Sequence, residues 1–246
     1  MPLRLALFDL WGTLIADNPD AMTRRSELRL RRVADGLRAL GFDYDEAAIQ
    51  AAFAAAAEEH GRIHAEGRDI TAEARTILYL RHLDETLPDR LDDDGWRRMH
   101  EAILTPALEV PPLVVPDADE TLAQVKSLGL PLGLISNAGI TPGFVLRRIL
   151  DDHGLLRHFD DTIFSDEAEL AKPAAAIFEQ ALENFGVAPD EAVFVGDQPV
   201  LDVLGPQGAG IWSVQLGDVR EDGIEPHRRI PRLADLVPAL QELDLL

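Results

Sequence analysis

A run of apolar residues ending in a carboxylate opens the chain: Leu5-Ala6-Leu7-Phe8-Asp9-Leu10-Trp11-Gly12-Thr13-Leu14. A short apolar run bounded by a turn signal reads as a buried strand, and Gly12 lets the backbone turn sharply behind it. Asp9 is thereby carried to the carboxyl end of a strand, where open α/β sheets place their ligands. A carboxylate there can attack as a nucleophile or hold a metal. In the same place it also serves as the N-cap of a following helix, and this stretch alone does not choose among those roles.

Behind it the pattern changes. From about Pro19 to Leu108 the periodicity is helical, with helices expected over Thr23–Leu40, Glu46–Glu66, Thr71–Thr86 and Asp92–Leu108. Four helices of that length form a bundle. Pro111, Pro112 and Pro116 mark a boundary. Beyond it helices (from Asp117, from Thr141-Pro142, from Pro173, and over Leu233–Leu243) alternate with apolar strands at Pro131–Ser136, Thr162–Ser165, Ala192–Gly196 and Ile211–Gln215. Such alternation implies a parallel sheet with helices on both faces. The first strand belongs to that sheet. The expected architecture is therefore an α/β core over residues 1–16 and 113–246, with residues 17–112 inserted as a helical unit.

Composition narrows the partners. The 46% hydrophobic and 27% charged residues are those of a soluble globular protein with a real core. A formal net charge of -21 argues against a nucleic-acid or anionic-membrane surface, since both require basic patches. It also repels anionic substrates at long range, so a phosphate site here must work through local positive charge or a bound cation. There are no cysteines, which excludes disulfides, thiolate metal sites and a Cys nucleophile. No segment is long enough to span a bilayer, and the start lacks the features of a signal peptide, so a cytoplasmic protein is expected.

Four strand ends carry polar residues: Asp9 with Thr13, Ser136 with Asn137, Lys172, and Asp197 with Asp202. Where βα connections leave a parallel sheet, such residues converge on one crevice. Carboxylates can hold Mg²⁺, which prefers hard oxygen ligands, while a lysine and hydroxyl or amide donors suit phosphate oxygens.

These segments resemble, in order, the four motifs of the haloacid dehalogenase superfamily of hydrolases: Phe8-Asp9-Leu10-Trp11-Gly12-Thr13-Leu14, Ile135-Ser136-Asn137, Ala171-Lys172-Pro173, and Val195-Gly196-Asp197 through Asp202. The helical insertion is similar to that family's C1 cap. The resemblance implies a Rossmann-like core and an aspartyl-enzyme mechanism with Asp9 as nucleophile. Mg²⁺ would be held by Asp9, the backbone carbonyl of Trp11 and Asp197, with Asp202 orienting Lys172 or the metal shell. Ser136 and Lys172 would bind the transferring group, and Thr13 and Asn137 would support the substrate loops. The implied activity is a phosphatase acting on a small phosphorylated metabolite.

Trp11 departs from the pattern. In most phosphatases of the family that position is a second Asp, which protonates the leaving alcohol and then activates water. Trp has no titratable group, and losing general acid–base catalysis removes about 10²–10⁴-fold. The family's 2-haloacid dehalogenases carry an aromatic residue there, need no metal, and expel a halide that requires no proton. Metal-free dehalogenation is thus the rival reading, and a binding protein that keeps the fold without turnover is the third. Gly196-Asp197 with Asp202 resembles the phosphatase form, so the two ends of the site point in different directions.

In the first inserted helix, Arg24 and Arg25 lie nearest the hinge and are candidates for meeting an anionic substrate. His60 and His64 stand at i, i+4 on one helical face, but a zinc site needs further ligands, so solvated or packed histidines are expected.

Overall fold

The structure, a computed structural model, describes residues 2–243, 245 and 246. Six parallel strands form its sheet: β1 (Leu5–Phe8), β4 (Leu132–Ser136), β5 (Asp161–Phe164), β6 (Ala192–Gly196), β7 (Trp212–Leu216) and β8 (Arg228–Ile230), in the order β5-β4-β1-β6-β7-β8. Two more, β2 (Ile15–Ala16) and β3 (Leu113–Val114), pair as a separate antiparallel ribbon. Strand β1 lies between β4 and β6, with Phe8 opposite both Leu134 and Val195. Each residue of β1, β4 and β6 is buried, as expected for apolar runs covered on both faces. The chain reverses its winding on either side of β1, which makes the crevice beyond Asp9 a topological switch point.

Between β2 and β3 stand four longer helices, α1 (Ala21–Ala39), α2 (Glu46–Ala65), α3 (Ala72–Leu83) and α4 (Asp93–Leu104). They enclose a core of their own that includes Val33, Leu37, Ile49, Tyr79, Leu80, Met99 and Ile103. The two crossings between this block and the sheet are the strands of the β2/β3 ribbon. On α1 the residues Ala21, Arg25, Arg29, Val33 and Leu37 are buried at four-residue steps, so two arginines occupy positions on the inward face.

Several expected boundaries moved; the helix expected over Thr71–Thr86 ends at Leu83 and the one expected from Pro173 begins at Ala175. The helix read over Asp92–Leu108 ends at Leu104, and a separate turn runs Pro106–Glu109. Proline lacks the amide that would continue the ladder, and its ring clashes with the preceding turn. The last helix begins as a 3-10 turn at Leu233–Asp235 and is α-helical only over Leu236–Glu242. Pro142 caps the helix Gly143–Asp152 instead of opening it. Among the described residues no helix is long and apolar enough to cross a membrane.

Candidate active site

Asp9 leaves the end of β1 and Asp197 the end of β6, while Lys172 arrives on the loop before the helix Ala175–Phe185. Lys172 Nζ donates to Asp9 Oδ1 at 2.6 Å and to Asp202 Oδ1 at 2.7 Å, and it stands 5.0 Å from the centre of the Phe194 ring. Asp9, Lys172 and Asp202 are all buried. Asp202 lies on a π-helical turn, Pro199–Leu204, and its second oxygen accepts from Gln198 N at 2.9 Å. Gly196 makes this approach possible, because a Cβ there would lie 2.4 Å from Asp202 Cγ. Gly12, at φ +83°, does the same for Asp197, whose Oδ2 is 2.4 Å from where a Cβ would be.

Electrostatically the cluster is short of positive charge. With its carboxylates ionised, Asp9, Asp197 and Asp202 face the single ammonium of Lys172. Burial pushes Asp9 up to about 7; the neighbouring Lys172 opposes this and Asp202 reinforces it. Burial, then Asp202, raises Asp197 to about 6. Burial alone would lower Lys172, but Asp202 and Asp9 hold it above its ordinary value. Asp9 Oδ2 and Asp197 Oδ1 are buried with no hydrogen-bond partner among the described residues. Carboxylate oxygens of Asp9, Asp197 and Asp202 lie within 4.8 Å of one another. Orphaned hard oxygens in a pocket of excess negative charge are a donor set that fits Mg²⁺. Asp202 already spends an oxygen on Lys172 and the other on Gln198, so it backs the cluster.

Of the other sequence-derived candidates, Asn137, Ser136, Thr13 and Trp11 lie on the loops and strand ends next to these residues, whereas Arg24 and Arg25 are not brought to the centre. Asn137 grips the backbone of Lys172 from both sides: its Nδ2 donates to Lys172 O at 2.9 Å, and its Oδ1 accepts from Lys172 N at 2.8 Å. It therefore positions the lysine. Ser136 is buried at the end of β4, and among the described residues its hydroxyl makes one contact, 3.4 Å to Asn137 O. Thr13 is buried, and its hydroxyl has no hydrogen-bond partner among the described residues. Trp11 is half-buried against the sheet core. Arg25 stacks over it, its guanidinium carbon 5.4 Å from the ring centre. That guanidinium is held by Asp17 at 2.6 Å and by Val110 O at 2.7 Å, so it ties together the two crossings. Arg24 is exposed.

A second buried cluster was not legible in the sequence. His60 and His64 of α2 direct Nε2 at Asp69, at 2.7 and 2.9 Å. Asp69 also accepts from Arg75 at 3.0 Å, Ile70 N at 2.7 Å and Ser165 Oγ at 2.5 Å. Ser165 in turn accepts from Ala138 N at 2.7 Å, next to Asn137. Alongside, Ala171 N donates to Gly67 O at 3.0 Å, one residue before Lys172. The helical block is thus latched onto the two loops that present Ser136 and Lys172. The spacing of the two histidines and Asp69 resembles a metal site, but the carboxylate is already satisfied by Arg75 and Ser165. Burial opposes ionisation of Asp69, yet the His60 and His64 hydrogen bonds and the Arg75 charge hold it well below the usual carboxylate range. Replacing Asp69 with Ala leaves the fully buried Arg75 without its anion, an arrangement that costs about 3–5 kcal/mol. Urea denaturation should register that loss, and a change under about 1 kcal/mol would show that the block is not held through Asp69.

The comparisons with known proteins come to one family. The chain matches haloacid dehalogenase-like hydrolase over residues 3–210. It is 41% identical over 118 residues to haloacid dehalogenase-like hydrolase domain-containing protein 3 of Danio rerio, covering 48% of this chain and 46% of that protein. Phosphoserine phosphatase of Thermus thermophilus is 40% identical over 99 residues, 40% of this chain and 39% of the relative. The alignments thus span about half the length of these curated relatives, or somewhat less. Among solved structures, a 2-haloacid dehalogenase from Pseudomonas syringae superposes with a TM-score of 0.71 at 24% identity, covering 98% of this chain and 99% of that one. A HAD phosphatase from Thermococcus onnurineus gives 0.61 at 25% identity, covering 99% of each. The sheet order, the flanking helices and these matches agree, and the chain belongs to the haloacid dehalogenase-like hydrolase family.

Proposed function

We propose that the protein is a Mg²⁺-dependent phosphatase acting on a small phosphorylated metabolite through an aspartyl-phosphate at Asp9, with residues 17–112 serving as its cap. The observation that carries this reading is the pair of orphaned buried oxygens, Asp9 Oδ2 and Asp197 Oδ1, in a cluster whose only ammonium is Lys172. Asp9, the carbonyl of Trp11 and Asp197 would hold Mg²⁺, with Asp202 behind them. When bound, the cation supplies positive charge that keeps Asp9 ionised and offsets the charge of the phosphoryl oxygens.

Asp9 attacks phosphorus with a carboxylate oxygen, and the bond from phosphorus to the ester oxygen breaks. The leaving alkoxide takes the electron pair and needs a proton. Water then attacks phosphorus of the acyl phosphate, returning the carboxylate and releasing inorganic phosphate. Lys172 holds Asp9 through Oδ1 and offers its charge to the transferring group, and Ser136 Oγ has hydrogen-bonding capacity to spare for a phosphoryl oxygen. The gripping of Lys172 by Asn137 fixes where that charge stands. Nothing at position 11 can give the leaving group its proton, so poor leaving groups are expected to turn over slowly.

Trp11 also favours a second reading, halide displacement from a 2-haloacid, because a halide leaves unprotonated. Asp197 weighs against it, since a metal-free reaction leaves its buried, unpartnered Oδ1 without a use. The deciding experiment is release of the phenol from an aryl phosphate with Mg²⁺ and with chelator. Mg²⁺-dependent release is the expected result. No release in either condition, with chloride freed from chloropropionate, would replace the phosphatase by the dehalogenase.

A further inference from the structure

Among the described residues, strongly buried lysines and arginines come with acids, with one exception. Arg25 has Asp17, Arg75 has Asp69, and Lys172 has Asp9 and Asp202. Arg29 is only 6% exposed, yet no Asp or Glu among the described residues pairs with it. Its Nε donates to Ile103 O at 2.7 Å, and its two terminal nitrogens make no hydrogen bond within the described residues. In a chain with 44 acidic residues against 23 lysines and arginines, a buried guanidinium left without an anion is a specific omission. Burying an unpaired charge is costly, and burial accordingly lowers Arg29 to about 10.

What Arg29 borders is a cavity of about 540 Å³ between α1, α2 and α3 on one side and Gly139-Ile140 on the other. Gly139 is three residues beyond Ser136, on the loop that the phosphatase reading assigns to the phosphoryl group. On α1, Arg29 is one turn past Arg25, about 6 Å along the axis, and Arg25 covers Trp11. Ser26 and His60 share the lining. Burial lowers His60, against the pull of Asp69, and among the described lining residues Arg29 is the one arginine or lysine, a permanent positive charge. A guanidinium with Nε already engaged presents its two terminal nitrogens as a fork, which matches a planar carboxylate.

We infer that Arg29 is the specificity residue for a carboxylate on the substrate, so that the enzyme takes short phosphate monoesters bearing a carboxylate a few atoms from the ester oxygen. The inference rests on the phosphatase reading above. Its main effect is expected in KM, because the contact is made equally in the ground and transition states.

The test compares two three-carbon monophosphates, 3-phosphoglycerate and glycerol 3-phosphate, which differ at the far end in carboxylate against hydroxymethyl. In the wild type with Mg²⁺, kcat/KM should favour the carboxylate by on the order of 10²-fold. Arg29→Gln should erase the preference, and Arg29→Lys should restore part of it. A wild-type ratio within about threefold of one overturns the inference, and needs no variant to fold. Should aryl phosphate go unhydrolysed, the phosphatase reading fails separately. Calorimetric titration of Asp9→Asn with the two esters then still decides: tighter binding of 3-phosphoglycerate, weakened by adding Arg29→Gln, upholds the role of Arg29, and equal or absent binding overturns it.

Discussion

Asp9→Asn is expected to lower turnover of any phosphate ester by on the order of 10⁴-fold or more, while the protein stays as stable as before or gains stability toward alkaline pH. The kinetic half follows from chemistry, because an amide oxygen does not form the acyl phosphate. The stability half follows from burial. Asn has the shape of Asp and still accepts from Lys172, which keeps Asp202 at 2.7 Å as its anion. In the folded chain Asp9 holds its proton up to about 7, against an ordinary value of 3.8. Between those values the folded state binds a proton that the unfolded state has lost. The contribution of Asp9 to stability is therefore present at acid pH and declines as pH rises through about 7. Each unit across that window is worth at most about 1.4 kcal/mol, and the Asn variant has no such decline. Melting temperatures taken from pH 5 to 8 without divalent cation should show the variant overtaking the wild type at the upper end. Added Mg²⁺ should raise the wild type more than the variant. A variant several degrees less stable at every pH would make Asp9 chiefly the structural counter-ion of Lys172.

That trade between stability and chemistry also explains which parts of the molecule are legible in the sequence. Strands β1, β4 and β6 are continuous apolar runs because both faces are covered, and each ends in or just before a polar residue, so Asp9, Ser136 and Asp197 stand out where hydrophobicity stops. Strand β8, with Arg228 and Arg229 in a three-residue edge, has no such contrast and escapes notice. Lys172, in a loop, and Asp202, on a short helical turn, are single polar residues recognisable only through the motifs around them. In the helical block the usual signal works backwards. The inward face of α1 is marked by Leu and Val when read for apolar periodicity, but Arg25 and Arg29 occupy that face too. Their four-residue register with Ala21, Val33 and Leu37 is a usable clue, while charge type alone suggests solvent. Asp69 offers nothing of the kind: its partners His60, Arg75 and Ser165 come from two long helices and the short helix that follows β5, and only the folded chain brings them together.

Trp11→Asp is expected to raise kcat on alkyl phosphates by about 10²–10⁴-fold, and on aryl phosphates by far less. An alkoxide leaves as a strong base and profits fully from a proton donor, whereas a nitrophenolate departs without one. The size of the gain depends on Arg25. Its guanidinium lies 5.4 Å from the indole centre, so a carboxylate at position 11 would share it with Asp17, which already lies 2.6 Å away. A neighbouring cation favours the ionised form of an acid, which depletes the protonated donor at neutral pH. The increase should therefore fall nearer 10²-fold and be greatest on the acid side of the pH profile. Trp11 also packs against the sheet core while half-buried, so its removal should cost about 1–3 kcal/mol of stability. The control is Trp11→Asn, which opens the same space and carries no transferable proton. Equal gains from Asp and Asn would assign the effect to room for substrate. No gain from either, with folding and Mg²⁺ binding intact, would mean that the missing proton is not what limits this site.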